Sequence, residues 1–349
     1  MPKTTPADAL TAAAIPFREA LLAWYGRAAR PLPWRDKPSV YKTVVSEFML
    51  QQTQVKTVLP YFARWLAELP DFATLAATPE ERVLKLWEGL GYYSRARNLH
   101  RLAKQVSAAP TPPRTPEDWQ ELPGVGPYTA AAITSISFNA PAACVDGNVV
   151  RILARLTGDP TEYRDSATAA KAFTPLAHAL LNTRRSGDHN QAMMELGATV
   201  CVRQNPLCAE CPVRRLCAAA TAGTPDLFPR LAPKRIEQRL VHRVWCVRDG
   251  RLLLHRAHAS ARRFANIHEL PLAEHIGFDP AKSSDRAPLA TKRRAITRFQ
   301  ITETIHAAPA PRSKLPGELL WVPLDEIDSV TLSGPHRRWI DEIVARAPQ

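Results

Sequence analysis

Four of the chain's six cysteines fall in CVRQNPLCAECPVRRLC, at the spacing Cys201-x6-Cys208-x2-Cys211-x5-Cys217. Pro206 and Pro212 bend this segment so that the thiolates can converge. Four thiolates in one loop suit either tetrahedral zinc or a cuboidal iron–sulfur cluster. Structural zinc commonly draws on two Cys-x2-Cys pairs set on separate knuckles. Only one pair is that close here, and the asymmetric spacing favours the larger cluster. Cys144 and Cys246 stand alone and read as small core residues.

Three other stretches carry groups able to do chemistry. In SEFMLQQTQV, Glu47 sits in an apolar helical run, where burial favours a protonated carboxyl that can act as an acid. The plain alternative is an exposed helix glutamate beside Ser46. In VDGNVVRIL, Asp146 precedes a helical pattern, a frequent place for an N-cap. In LPGVGPYTA, residues Leu122 to Ala130, two helices meet at a glycine turn. The backbone of Gly124, Val125 and Gly126, with the positive end of the following helix, can hold a phosphate without reading sequence.

The elements that must position these groups are helical almost without interruption to residue 220. Apolar residues recur at helical spacing around Phe17–Tyr25, Tyr41–Leu50, Val58–Leu66, Pro79–Leu86, Ser94–Val106, Pro127–Phe138, Val149–Leu156, Ala167–Leu181 and Asn190–Val200. A proline-rich connector without periodicity follows. Then LVHRVWCVRDGRLLLHR reads as two β-runs joined by Asp249-Gly250, a hairpin that opens a second, mixed α/β domain near Gln238. A length of 349 residues suits two domains. A net charge of +13, with arginine spread along the chain, favours a polyanionic partner, nucleic acid before a membrane surface. No apolar run is long enough to span a bilayer, and MPKTTPADAL lacks the order of a signal peptide. The reading is a cytoplasmic protein, nucleoid-associated if bacterial, with reduced thiols.

The cysteine spacing resembles the [4Fe–4S] loop of the endonuclease III and MutY superfamily of DNA glycosylases. The order glycine hairpin, VDGNV, cysteine loop matches its helix-hairpin-helix members, and LPWRDKPSVYKTVVSEFMLQQTQV and GLGYYSRARNLH resemble MutY-type adenine glycosylases over long stretches. The resemblance implies a mainly α fold with a smaller α/β, Nudix-like C-terminal domain. It divides the chain into an N-terminal extension (1–16), a helix-hairpin-helix glycosylase domain (17–223) with the cluster loop at 201–217, a linker (224–237) and a lesion-recognition domain (238–349). The C-terminal similarity rests on short pieces, His268–Pro271 and Trp321–Ile327 among them.

The same resemblance assigns roles. Glu47 protonates adenine N7, and Asp146, oriented by Asn148, stabilises the sugar cation that forms when the glycosidic bond breaks. Tyr128 stands where bifunctional relatives place a lysine, so the Schiff-base route to strand cleavage is closed and the enzyme is monofunctional. Arg30, Leu32, Trp34, Arg35 and Gln191 match the pocket for a flipped adenine, and Gln52, Leu90 and Tyr92 match residues that insert at the opposing base. Cys201, Cys208, Cys211 and Cys217 hold a [4Fe–4S] cluster. The implied partner is double-stranded DNA with an adenine opposite 8-oxoguanine or guanine, bound by a monomer. Relatives carry a Phe-Ser-His loop for 8-oxoguanine where this chain has Ile296-Thr297-Arg298, so Thr297 is the hydroxyl left to sense the lesion. Two other readings stay open: a bifunctional endonuclease III-like glycosylase/lyase, and a non-catalytic iron–sulfur DNA-binding or redox protein.

Overall fold

The computed structural model describes residues 5–233, 235–261, 264–283, 287–296, 298–311, 315 and 317–346. Its helices are α1 (Pro6–Ala12), α2 (Ala14–Ala28), α3 (Val40–Leu50), α4 (Val55–Glu68), α5 (Phe72–Ala77), α6 (Glu80–Trp87), α7 (Ser94–Ala108), α8 (Pro116–Gln120), α9 (Pro127–Phe138), α10 (Gly147–Thr157), α11 (Ser166–Leu180), α12 (Ser186–Thr199) and the short α13 (Ala218–Thr221). Strands β1 (Glu162–Tyr163) and β2 (Arg230–Leu231) pair in parallel. The chain folds into two compact units, one of Met1–Ala76 with Arg101–Pro233, the other of Ala77–His100 with Lys234–Gln349.

At the centre of the first unit lies α9. Its sequence PYTAAAITSISF is rich in small residues, and Thr129 to Ser135 are all buried. With little side-chain bulk in the way, α3, α8 and α12 all pack against it. Gly126 caps its start, Pro127 fills the first turn, and Asn139 ends it with φ of 54°. A second core gathers Phe17 and Leu21 of α2, Val149 and Leu153 of α10, Phe173 of α11 and Leu196 of α12. Leu10 of α1 and Ala14 are buried in that core, so residues before 17 contribute to the domain's packing. In the stretch read as a linker, β2 pairs with β1.

The second unit carries two sheets. In one, β8 (Phe299–Ala307) lies between β3 (Glu237–Trp245), to which it is parallel, and β7 (Ala290–Ile296), to which it is antiparallel. In the other, β5 (Arg251–Arg256) pairs antiparallel with β4 (Val247–Arg248), β6 (His268–Glu269) and β9 (Leu319–Pro323). Helix α14 (Gly334–Arg346) places Trp339 and Ile340 in a core with Leu252, Leu254, Ile305 and Val322. The Asp249-Gly250 hairpin forms, with φ of 50° and 70°, but it joins β4 to β5 alone. The run expected as its first arm breaks at buried Cys246, and its longer part, β3, goes to the other sheet. A parallel partner far along the chain leaves no local signal, which is why the hairpin pattern misled.

Candidate active site

Helix α3 buries nearly every residue from Tyr41 to Met49, and Glu47 goes in with them at 7% exposure. Tyr128 at the start of α9, whose hydroxyl donates to Met194 Sδ at 3.7 Å, and Asp146 are both close enough to act on its carboxyl electrostatically. Burial raises the Glu47 pKa, the neighbouring Tyr128 hydroxyl lowers it and the negative Asp146 raises it again. The result is about 7, against 4.5 for an ordinary glutamate. Among the described residues no arginine or lysine pairs with Glu47.

Asp146 is the N-cap of α10, accepting from the backbone N–H of Asn148 at 2.9 Å and of Val149 at 2.8 Å. Its second oxygen accepts from Asn148 Nδ2 at 3.0 Å. Burial raises its pKa, while these hydrogen bonds and the Arg151 charge pull it back. The cap role and an aim toward a cavity therefore coexist in one side chain. Asn148 is itself held, since Arg151 donates to its Oδ1 at 2.8 Å and to the carbonyls of Gly197 and Cys201, also at 2.8 Å.

Glu47, Tyr128, Asp146 and Asn148 share a cavity of about 540 Å³ with Arg30, Leu32, Trp34, Arg35 and Gln191. All of the residues expected to grip a flipped base thus line one pocket. Its aromatic wall is Trp34, set edge-on to Phe62 with ring centroids 5.3 Å apart. The two arginines are fixed by Glu195, which has no exposed surface. Arg30 Nε reaches Glu195 Oε1 at 2.6 Å, and an Arg35 nitrogen reaches Oε2 at 2.9 Å. Burial alone raises the Glu195 pKa, but the hydrogen bonds and charges of the two arginines outweigh it, leaving the carboxyl below its usual range. Reading the sequence missed Glu195. Its signal is a place one turn after Gln191 on α12, on the same helix face.

The glycine hairpin between α8 and α9 has Gly124 at φ of 79°, which favours glycine, while Gly126 is extended. Val125 N donates to Leu122 O at 3.2 Å and closes the turn, its side chain buried. Gly124 and Gly126 are left to offer theirs.

Of the inserting residues, Gln52 is exposed in the first unit with φ of 56°. Leu90 and Tyr92 belong to the second unit, where Tyr92 is 45% exposed with φ of 49°. Leu90 is 6% exposed, so of this pair Tyr92 is the exposed side chain. Thr297 lies outside the described residues.

Cys201, Cys208, Cys211 and Cys217 line one small cavity with Pro206, Pro225 and Arg155, and none forms a disulfide. Arg155 of α10 is a buried arginine whose donors go to Cys201 Sγ at 3.3 Å and to the carbonyls of Val202, Arg203 and Pro225 at 2.7, 2.9 and 2.8 Å. Its own carbonyl lies 3.3 Å from Cys217 Sγ. Arg151 and Arg155 are one turn apart, so the helix that begins at Asp146 also carries the loop of thiols. Two arginines on the apolar α10 were a signal for buried partners. Among the described residues no group of three or more His, Cys, Asp or Glu closes on a point that would hold a metal ion.

Residues 45–176 match the family described as HhH-GPD superfamily base excision DNA repair protein. The chain is similar to the adenine DNA glycosylases of Rattus norvegicus (45% identical over 235 residues, 60% of this chain and 45% of that one) and of Homo sapiens (46% over 217 residues, 58% and 39%). The match thus spans less than half of either relative. Among solved structures, a thermostable thymine-DNA glycosylase aligns with a TM-score of 0.55 at 28% identity, covering 62% of this chain and 100% of that one. A non-covalent endonuclease III–DNA complex aligns at 0.51 with 20% identity, over 61% and 97%, a likeness of fold. The span matched by the HhH-GPD family reaches from α3 into α11, and so includes Glu47, Tyr128 and Asp146.

Proposed function

We propose that the protein is a monofunctional adenine DNA glycosylase of base excision repair, acting on adenine opposite 8-oxoguanine or guanine in duplex DNA. The observation that carries this reading is a buried glutamate with a pKa near 7 and a fixed aspartate lining one cavity of about 540 Å³, roomy enough for a base. Purine departure needs a proton donor on the base side and negative charge on the sugar side, and the two carboxyls supply one each. Glu47 gives its proton to the purine ring, which makes the base a better leaving group. Asp146, kept in place by Asn148 and two backbone N–H groups, faces the oxocarbenium-like sugar. Water then completes the abasic product. Arg30 and Arg35, held by Glu195, and the Trp34 face bind the flipped base. Tyr128 has no amine to attack the sugar.

The thiol loop supports a [4Fe–4S] cluster held by Cys201, Cys208, Cys211 and Cys217. Four thiols line one cavity, and four cysteine thiolates are the ligand set such a cluster takes. The group would brace the loop that Arg151 and Arg155 tie to α10. Purified protein holding stoichiometric zinc in place of iron and sulfide would contradict it. The two-sheet C-terminal unit supports a Nudix-like role in recognising the opposing lesion, with Arg298 and Phe299 at the β7–β8 tip.

The test is adenine release from duplexes carrying adenine opposite 8-oxoguanine, guanine or thymine, assayed with and without hot alkali. Strand breaks that appear only after alkali, strongest opposite 8-oxoguanine, are the expected result. Breaks without alkali, with a borohydride-trapped adduct, would make the enzyme a lyase, and no base release from any duplex would leave a binding protein.

A further inference from the structure

In the second unit, the turn from Trp87 to Tyr92 is built to present one ring. Tyr92 is a large exposed aromatic at φ of 49°, a conformation that costs a non-glycine residue free energy and persists only where surroundings impose it. The flanking Gly89 and Gly91, at φ of 102° and 72°, allow the chain to reach it. From within, Trp87 Nε1 donates to Gly91 O at 3.1 Å, and Arg95 donates to the carbonyls of Leu90 and Gly91, each at 3.1 Å. The Arg95 guanidinium lies 5.6 Å from the centroid of the Tyr92 ring.

The turn is also clamped by a segment more than two hundred residues later in sequence, 330–337. Arg337 Nε donates to Glu88 Oε1 at 2.6 Å, and Leu332 N approaches Glu88 Oε2 at 3.4 Å. Lys85 bridges Glu88 Oε2 at 2.9 Å and Val330 O at 3.0 Å, and Tyr93 OH donates to Leu332 O at 2.6 Å. A Cβ at Gly334 would sit 3.4 Å from Gly89 Cα, so backbone rests on backbone there. Each of these clamping contacts falls on a residue flanking Tyr92. Arg337 is anchored in turn by Asp328 and the carbonyls of Ile327 and Val330.

We infer that Glu88 and Arg337 are positioning residues, a strut by which the C-terminal segment sets the Tyr92 ring for insertion beside the adenine's partner base. This rests on the glycosylase reading above. The strut makes recognition of the mispair, rather than breakage of the glycosidic bond, depend on Arg337. The Glu47 cavity is lined by residues of the first unit, and Arg337 is not among them.

The experiment measures binding of the full chain to a duplex with non-hydrolysable 2′-fluoro-2′-deoxyadenosine opposite 8-oxoguanine, alongside single-turnover release at saturating enzyme. Losing a charge-assisted hydrogen bond to a poorly exposed partner, Arg337→Met weakens binding about tenfold, with the saturated rate within about twofold of wild type. Arg337→Lys recovers part of the loss. In a Tyr92→Ala background, Arg337→Met costs less than about twofold, because the ring it positions is gone. Losses that multiply in the double variant, or wild-type binding by folded Arg337→Met, overturn the strut. If Arg337→Met does not fold, Lys85→Met, which removes only the flanking bonds to Glu88 and Val330, takes its place and must show the same dependence on Tyr92. Wild-type protein that releases no base from any duplex ends the glycosylase reading itself, an outcome distinct from intact release with a silent Arg337.

Discussion

Each unit of this molecule hides a glutamate, and the two are built for opposite ends. Glu303 on β8 has no exposed surface and is gripped by Arg243 Nε at 2.9 Å and by Arg294, with Arg243 also reaching Glu269 at 3.3 Å. Two guanidinium groups compensate its charge, and the cluster joins β3, β7 and β8. Glu47 is as deeply placed but has a tyrosine and a neighbouring carboxylate in place of arginines, and it faces about 540 Å³ of open space. Burial with a cation makes a carboxylate a tie; burial without one makes it a holder of protons near neutral pH. Glu195 lies between the cases, being tied by Arg30 and Arg35 while lining the cavity, so it shapes the pocket without donating a proton.

The largest effect on stability should come from breaking the tie. Arg243→Met leaves Glu303 buried with half its compensation, and about 3 to 5 kcal/mol of unfolding free energy should be lost in urea titration. A loss below about 1 kcal/mol would mean that Arg294 alone suffices. Next comes the opposite sign at Glu47. Its folded pKa, about 7, exceeds its unfolded 4.5, so the folded state binds the proton more tightly. Wild-type stability is therefore undiminished below about pH 4.5 and falls as pH rises through 7, by roughly 3 kcal/mol. Glu47→Gln removes that loss, so the variant should be more stable than wild type at pH 8 and the gain should vanish toward pH 4. Equal stability at pH 8 would deny that Glu47 is held near neutral pKa.

The smallest effect tests how Asp146 is held. A Cβ at Gly197 would stand 2.5 Å from Asn148 Cβ, inside any real contact. Gly197→Ala must displace Asn148, which donates to Asp146, and single-turnover base release should slow about tenfold for a cost near 1.4 kcal/mol. An unchanged rate would show that the two backbone N–H groups fix Asp146 by themselves.

Much of this contrast was legible in the sequence, and what was not has physical causes. Periodicity placed the helices, because an amphipathic stripe is local information. VDGNV announced the cap of α10, since a cap depends on near neighbours, whereas SEFML alone equally suits an exposed glutamate and only the family resemblance favoured a buried one. Glu195 was overlooked because its arginine partners lie about 160 residues away. The parallel pairing of β3 with β8 and the clamp of 330–337 on the Tyr92 turn are likewise long-range, and no local pattern encodes them. The burial of Leu90 is set by packing that its motif does not specify.

The central claim is that Glu47 gives the departing base its proton. The measurement that reaches it most directly is the pH dependence of single-turnover adenine release, for wild type and Glu47→Gln at saturating enzyme. Wild-type rate should hold on the acid side and fall about tenfold per pH unit above a midpoint near 7, as the carboxyl empties. Glu47→Gln should be slower by about 10² to 10⁴ and should lack that limb. A glutamine variant near the wild-type rate, or a wild-type rate that climbs through pH 7, would contradict the account.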